Sequence, residues 1–273
     1  LEGLPGLAKS LTVNTLAQTL GLKFARIQFT PDLLPSDIIG TEIYNEKTGE
    51  FYTKKGPIFA NIILADEINR APAKVQSALL EAMQEKQITI ANETFKLDRP
   101  FIVLATQNPI EQDGTYPLPE AQQDRFLMKV KIEYPTKSEE KDMLKLLTSV
   151  SDFDSIQINE ILNKDRIEKI KQIIREIHID EKLMDYILDI VFKTRETNNY
   201  IACGASPRAS IALVVSAKAN AFLEGRDHVI PQDIKRVIFD VLRHRMILTY
   251  EAEAEGKKVE DIITDILEIV ELP

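Results

Sequence analysis

The sequence has very few of the residues and segments on which several classes of protein depend. Cys203 is the only cysteine among 273 residues, which excludes an internal disulfide and a cysteine-based zinc site and favours a reducing compartment. No apolar run approaches the roughly 20 residues that a membrane-spanning helix needs. Acidic residues outnumber lysines and arginines, and the net charge of -9 disfavours general binding to nucleic-acid phosphates. We therefore expect a cytoplasmic protein with no membrane span and no general affinity for nucleic acid.

Hydrophobic patterning divides the chain into two parts. Before residue 136, short apolar runs alternate with helical segments, which predicts an α/β domain over residues 1–135 built on a parallel sheet. From residue 136 to 273 the apolar residues recur at helical spacing only, which predicts an all-α domain. The predicted strands are 23–29, 58–65, 101–106 and, as a fourth candidate, 126–132. The predicted helices are 11–20, 32–39, 72–86, 138–148, 163–177, 181–197, 206–224, 231–248 and 259–270.

Two segments in the first part depart from this alternation. Residues 42–53 and 87–97 each place alternating apolar and polar residues around a polar turn, which predicts two inserted β-hairpins. A third irregularity is at the beginning, where Gly3 opens a glycine-containing loop with no room for the strand that normally carries such a loop. We expect the strand and helices that precede this loop to lie upstream of the sequence.

The first candidate site is a phosphate-binding loop made of Gly3, Leu4, Pro5, Gly6, Leu7, Ala8, Lys9 and Ser10. In such loops the backbone N–H groups at a helix N-terminus surround the phosphates of ATP. Lys9 would reach the outer phosphates, and the Ser10 hydroxyl would bind Mg²⁺. Ala8 stands where glycine usually precedes the lysine, which requires a helix-like φ at that residue. An ordinary Gly-Pro turn capping a helix is the alternative.

Polar side chains follow two of the predicted strands directly. Asp66 and Glu67 end a buried strand, where desolvation makes unpaired charge costly, so we interpret Asp66 as a Mg²⁺ ligand and Glu67 as the base that polarises water. Asn108 follows the next strand, at the edge where open α/β sheets bind ligands, and would hold the attacking water. Solvated carboxylates and a simple Asn-Pro turn are the alternatives.

Two arginines are candidates for stabilising transition-state charge, which in some ATPases a neighbouring chain supplies. Arg208 follows Ser206, a good N-cap, and Pro207, so its cation lies at the positive end of a predicted helix and calls for a nearby anion. Arg125 is the second candidate. The alternatives are a solvated surface turn for Arg208 and a surface ion pair with Asp124 for Arg125.

Five motifs occur in order: Gly-Leu-Pro-Gly-Leu-Ala-Lys-Ser, Leu-Ala-Asp-Glu-Ile-Asn-Arg-Ala-Pro, Ala-Thr-Gln-Asn-Pro, Pro-Glu-Ala-Gln-Gln-Asp-Arg-Phe and Gly-Ala-Ser-Pro-Arg-Ala. With these motifs the whole chain closely resembles the MoxR family of AAA+ ATPases, in which alanine commonly precedes the loop lysine. The resemblance implies an AAA+ P-loop core with two hairpin inserts, followed by a helical lid domain. It assigns Lys9 and Ser10 to Walker A, Asp66 and Glu67 to Walker B, and Asn108, Arg125 and Arg208 to sensor 1, the arginine finger and sensor 2.

The resemblance also implies a cellular role. Proteins of this family are similar to chaperones that act with von Willebrand factor A (VWA) domain partners to mature metalloenzymes or other complexes. We therefore expect an ATP- and Mg²⁺-dependent homo-oligomer, a hexameric ring, with a VWA-domain partner and a protein client. Two other hypotheses stay open: a DNA or metal-chelatase type of AAA+ motor, and a nucleotide-gated scaffold with little turnover.

Overall fold

A computed structural model describes residues 1–3, 6–107, 115–149, 158–196 and 199–273. Contacts divide the chain into two compact units, one made of Leu1–Leu118 and Lys131–Glu168 and the other of Pro119–Val130 and Lys169–Pro273. We call them the sheet unit and the helical unit. Both are discontinuous in sequence, and the predicted domain boundary after residue 135 remains a prediction.

The strands in the described residues are β1 (Glu2–Gly3), β2 (Phe24–Gln28), β3 (Gly40–Asn45), β4 (Glu50–Lys55), β5 (Ile62–Asp66), β6 (Gln87–Ile90), β7 (Glu93–Lys96), β8 (Ile102–Ala105), β9 (Lys131–Ile132), β10 (Ile201–Cys203) and β11 (Ile247–Leu248). The α-helices are α1 (Lys9–Thr19), α2 (Pro35–Ile39), α3 (Ala73–Glu85), α4 (Glu120–Gln123), α5 (Lys137–Ser149), α6 (Lys164–Glu176), α7 (Glu181–Lys193), α8 (Pro207–Leu223), α9 (Pro231–Leu242), α10 (Tyr250–Ala254) and α11 (Val259–Ile269). Short 3₁₀ helices span Pro57–Phe59 and Ile68–Arg70. None of the described helices is long and apolar enough to cross a membrane.

The sheet unit is built on parallel strands, as predicted. β5 pairs in parallel with β2 on one side and β8 on the other. Its residues Ile62, Ile63, Leu64 and Ala65 are fully buried, which explains why this strand is apolar at every position rather than at alternate ones. Helix α1 covers one face, where Val13 and Ala17 pack with Ile62 and Leu64.

A short strand precedes the glycine-containing loop, although the sequence analysis expected no strand there. β1 pairs in parallel with β9, and Glu2 also forms a bridge with Gln107, just beyond β8. The backbone nitrogen of Leu1 donates to the carbonyl of Ala105 at 2.7 Å. Two paired residues are too few to give a periodic pattern, so only the backbone pairing identifies β1.

Both predicted hairpins are confirmed. β3 pairs antiparallel with β4, and β6 pairs antiparallel with β7. Gly40, at the base of the first hairpin, has φ +103, and a Cβ there would lie 2.2 Å from the carbonyl oxygen of Lys54. The two hairpins approach each other at Lys55, whose ammonium lies 5.0 Å from the ring centroid of Phe59 and 4.7 Å from that of Phe95.

The helical unit has its own hydrophobic core, to which α7, α8, α9 and α11 all contribute buried residues. Helix α8 begins as predicted: Ser206 is its N-cap, and the Ser206 hydroxyl accepts from the backbone N–H of Arg208 at 3.2 Å. The predicted helix 231–248 is too long, because α9 ends at Leu242 and residues 247–248 form β11, which pairs with β10. The predicted strand 126–132 is likewise reduced to β9.

Candidate nucleotide site

The glycine-containing loop leads directly into α1, which begins at Lys9. Gly6 has φ +83, and Ala8 has φ 51 and ψ 26, a left-handed conformation that non-glycine residues rarely adopt. The expectation of a helix-like φ at Ala8 is therefore wrong: the tight turn into the helix imposes the left-handed conformation despite the alanine Cβ. The loop positions Leu4 and Pro5 lie outside the described residues.

The backbone N–H groups of residues 6–11 have no acceptor among the residues that the structure describes. The next N–H along the chain, that of Thr12, donates to the carbonyl of Ala8 at 2.9 Å. Lys9 folds back over the loop and donates from Nζ to the carbonyl of Gly3 at 2.6 Å. A set of free N–H groups at a helix N-terminus attracts anions, and phosphate is the anion that such loops commonly bind.

A buried threonine just after β8 links the side chain of Asp66 to the backbone of Glu67. The hydroxyl of Thr106 donates to Oδ1 of Asp66 at 2.6 Å and accepts from the backbone N–H of Glu67 at 2.9 Å. Thr106 is 2% exposed. Glu67 has φ 55, so the chain turns sharply at the end of β5.

Side chains from β2 and from the turn after β5 complete the charge pattern. Nε and Nη2 of Arg26 donate to Oδ2 of Asp66 at 3.0 and 2.5 Å. Gln28 donates to Oε2 of Glu67 at 2.9 Å, and Nε of Arg70 lies 3.0 Å from the same oxygen. Both carboxylates are therefore neutralised by side chains of the protein itself.

These groups line one cleft of about 340 Å³, formed by residues 6–11 with Arg26, Asp66, Glu67 and Thr106. Its cations and free N–H groups suit the phosphates of a nucleotide, and the oxygens of Ser10 and Asp66 suit Mg²⁺, a hard cation that prefers oxygen ligands. The cleft thus brings together residues 6–10, Asp66 and Glu67 as the sequence predicted, whereas Gly3 lies in β1 and does not line it. Asn108 lies outside the described residues.

The two candidate arginines lie together in the helical unit. Arg125 and Arg208 line a second cleft, of about 190 Å³, with Asp124 and Arg245 among its other residues. The anion that Arg208 calls for is Asp124, whose Oδ2 lies 3.2 Å from Nη1 of Arg208. Asp124 also pairs with Arg245 at 3.0 Å, whereas the exposed side chain of Arg125 makes no ion pair with the described residues.

Comparison with known proteins identifies the family to which this chain belongs. Residues 1–128 match the model of the ATPase family associated with various cellular activities (AAA), and residues 194–266 match the AAA lid domain. The chain is 48% identical, over its full length and 74% of the relative, to the chaperone MoxR1 of Mycobacterium tuberculosis. The chain belongs to the MoxR family of AAA+ ATPases.

Two further similarities agree with that family. The uncharacterised protein YeaC of Bacillus subtilis is 46% identical over the full chain and 84% of its own length. The crystal structure of a candidate ATPase from Cytophaga hutchinsonii superposes with a TM-score of 0.91 at 53% identity, covering 100% of this chain and 84% of that one. This MoxR-family protein is thus an ATPase with an AAA+ core and a helical lid.

Several residues of the two clefts escaped the sequence analysis. Arg26 lies at the centre of β2, where no strand-end signal marks it. Thr106 follows β8, and Gln28, which bonds Glu67 beside the first cleft, ends β2; polar residues at the carboxyl ends of strands were the signal that identified Asp66 and Asn108. The same signal therefore could have found Thr106 and Gln28. No local pattern in the sequence indicates the partnership of Arg245 with Asp124.

Proposed function

We propose that this MoxR-family ATPase couples ATP hydrolysis to chaperone-like remodelling or maturation of protein complexes, metalloenzymes among them. It would act in the cytoplasm as a homo-oligomeric, hexameric ring whose ATP sites are shared between neighbouring subunits, with a VWA-domain partner and a protein client. Similarity to a relative named as a chaperone supports the remodelling role. The tie between Asp66 and Glu67 through the Thr106 hydroxyl, beside the loop, is the observation that carries the catalytic part.

In this proposal the loop first exchanges its internal contacts for the nucleotide. Lys9 leaves the carbonyl of Gly3 for the outer phosphates, and backbone N–H groups of residues 6–11 surround the remaining phosphate oxygens. Ser10 and Asp66 would hold Mg²⁺, which neutralises charge at the γ-phosphate when bound. Arg26 must release Asp66 for that purpose: the Arg26 side chain, which is 52% exposed, returns to solvent, and Mg²⁺ would take its place beside the Asp66 carboxylate, which is only 13% exposed.

The remaining residues act on the attacking water and on the charge that develops. Glu67 accepts a proton from the water, and Asn108 orients it. Gln28 and Arg70 hold the Glu67 carboxylate until the water is in place. Arg208 from the same subunit and Arg125 from its neighbour stabilise the transition state.

A single substitution tests the catalytic part. Glu67→Gln preserves the shape of the side chain but removes the base, so we expect hydrolysis to fall about 100-fold or more while ATP binding is retained. Glu81→Gln, on the exposed face of α3, is the matched control and should leave both unchanged. Undiminished hydrolysis by Glu67→Gln would refute the assignment.

The client-binding part is tested by capture. Glu67→Gln protein held with ATP should retain a client and a VWA-domain protein, and the same protein with ADP should release them. Stimulation of hydrolysis by DNA that disappears with added salt would support the motor hypothesis instead. Bound ATP that stays intact for hours in the unsubstituted protein would support the scaffold.

A further inference from the structure

The segment that carries Arg125 has almost no regular structure of its own. Helix α4 ends at Gln123, and residues 124–130 form neither helix nor strand. Backbone carbonyls in such a segment have no partner strand or helical turn, so other donors must satisfy those that are removed from water. Three consecutive residues beyond the end of α9 do so.

Arg245 is the central one of these donors. A guanidinium has five N–H groups, and all are used: Nε on Oδ1 of Asp124, Nη1 on the carbonyls of Leu127 and Val241, and Nη2 on the carbonyls of Asp124 and Phe126. Four of the five acceptors belong to residues 124–127. The Arg245 side chain is only 2% exposed.

The two residues before it extend the same attachment. Nε2 of His244 lies 3.0 Å from the carbonyl of Phe126, and Nη1 of Arg243 donates to the carbonyl of Lys129 at 2.9 Å. The backbone N–H of Lys129 donates in turn to the carbonyl of Asp240 at 2.8 Å. The segment is thus held to the end of α9 at successive residues.

Arg125 contrasts with this buried set. Its side chain is exposed and makes no hydrogen bond or ion pair with the residues that the structure describes, although its neighbours on both sides are fixed by Arg245. We propose that Arg245 is a positioning residue that fixes the backbone of residues 124–127 and thereby the direction in which Arg125 projects. This inference rests on the proposed function, in which Arg125 acts on the site of the neighbouring subunit.

A role in positioning residues 124–127 explains the buried Arg245 better than a contribution to the stability of the fold does. Burial lowers the pKa of the Arg245 guanidinium against the opposing effect of Asp124, which reflects the cost of removing the charge from water. An apolar side chain of similar volume often stabilises a core as well as a buried ion pair does. An apolar side chain cannot, however, hold four acceptors of one short segment in fixed directions.

Asp124 and Arg245 also connect the two candidate arginines, Arg125 and Arg208. Asp124 accepts from Arg245 on Oδ1 and from Arg208 on Oδ2, and the Ser206 hydroxyl donates to the same carboxylate. The backbone that directs Arg125 is therefore anchored at the N-terminus of α8 as well as at the end of α9. Arg125 should move with these helices rather than as part of a free loop.

Mixed oligomers test the inference. Arg245→Met should reduce hydrolysis about tenfold or more, because a small misplacement of a catalytic group lowers the rate steeply. The Arg245→Met subunit nevertheless keeps Lys9, Asp66 and Glu67 intact. A Glu67→Gln subunit is inactive but offers a well-positioned Arg125 to its neighbour. In a 1:1 mixture of the two variants, hydrolysis should therefore rise above the sum of the separate activities.

Two controls separate this inference from the proposed function. Arg125→Ala mixed with Glu67→Gln should also regain hydrolysis. If this mixture stays inactive, the proposal of an ATP site shared between subunits is contradicted, and so is the inference about Arg245. If that mixture recovers while the Arg245→Met mixture does not, only the inference is overturned. Arg226→Met breaks a comparable pair with buried Asp233 in the same unit and should show neither loss of hydrolysis nor recovery in the mixture.

Hydrogen exchange keeps the test decisive if Arg245→Met does not fold. In Arg245→Lys, which keeps the charge but not the fork of donors, the amides of Arg125 and Phe126 should exchange faster. Those amides donate to the carbonyls of Gln122 and Gln123 at 3.2 and 3.0 Å, so they are protected at the outset. Amides of α9 should stay protected. Unchanged exchange and unchanged hydrolysis in Arg245→Lys would overturn the proposal.

Discussion

Replacing Thr106 with valine should damage both the stability and the activity of the sheet unit. Valine has nearly the shape of threonine but neither donates to Asp66 nor accepts from the N–H of Glu67, the two bonds of 2.6 and 2.9 Å that the hydroxyl makes. The backbone bonds of Thr106, to Ala65 and from Ile68, are unaffected. The substitution therefore isolates the hydroxyl.

The magnitude follows from the burial of Thr106, which is 2% exposed. Loss of a hydrogen bond to a charged group costs about 1.5–3 kcal/mol, and a buried N–H left without an acceptor costs about 1–3 kcal/mol. Partial relaxation makes these costs less than additive, so we expect the free energy of unfolding to fall by about 2–4 kcal/mol. Hydrolysis should fall about 10- to 100-fold, because Asp66 and Glu67 lose their common anchor.

Denaturant unfolding and steady-state hydrolysis are the two assays. Thr106→Ser is the control: it keeps the hydroxyl and loses one methyl group, which costs about 1 kcal/mol and should leave hydrolysis near that of the unsubstituted protein. Equal loss of activity in the serine and valine variants would refute the reasoning, because packing rather than the hydroxyl would then explain both.

Three further predictions follow from single residues. Ala8→Gly should raise the free energy of unfolding by up to about 1 kcal/mol in denaturant unfolding, because relief of the left-handed alanine, φ 51, outweighs the added freedom of the unfolded chain. Gly40→Ala should destabilise by about 3 kcal/mol or more in the same assay and open the first hairpin to proteolysis, since its Cβ would lie 2.2 Å from the carbonyl of Lys54; a neutral effect would contradict the positive φ of +103. Burial lowers the pKa of His244 from 6.5 to about 4, so the unfolded chain binds a proton first as pH falls. The helical unit should lose about 3 kcal/mol of stability between pH 6.5 and 4, and His244→Gln, which keeps a donor for Phe126 but does not titrate, should flatten that part of a stability-against-pH curve.

Local patterns sufficed for much of the fold and for the nucleotide cleft. The apolar run before Asp66 and Glu67 predicts a buried strand, because a parallel strand covered on both faces has no polar side. Both hairpins follow from alternation around polar turns, and Ser206 with Pro207 marks the beginning of α8. These features depend on backbone conformation over a few neighbouring residues, which sequence encodes directly.

Predictions were weakest where regular structure ends. The helix predicted to reach residue 248 stops at Leu242, because Arg243, His244 and Arg245 turn away to bond the backbone of residues 126–129 and of Asp124. Helical periodicity continues past that point in the sequence but cannot register such partners. Likewise β1 consists of two residues, and only its pairing with β9 makes it a strand.

The sequence alone determined which chemical groups the protein carries: the loop lysine, the paired carboxylates and the two candidate arginines. Tertiary structure alone decided their partners. Thr106 reaches Asp66 across 40 residues of chain, and Arg245 reaches Asp124 across 121. No periodicity encodes contacts of that range, because they depend on how strands and helices pack rather than on the conformation of neighbouring residues. Packing therefore made Arg245 an anchor for the segment that carries Arg125 and left Arg125 itself exposed.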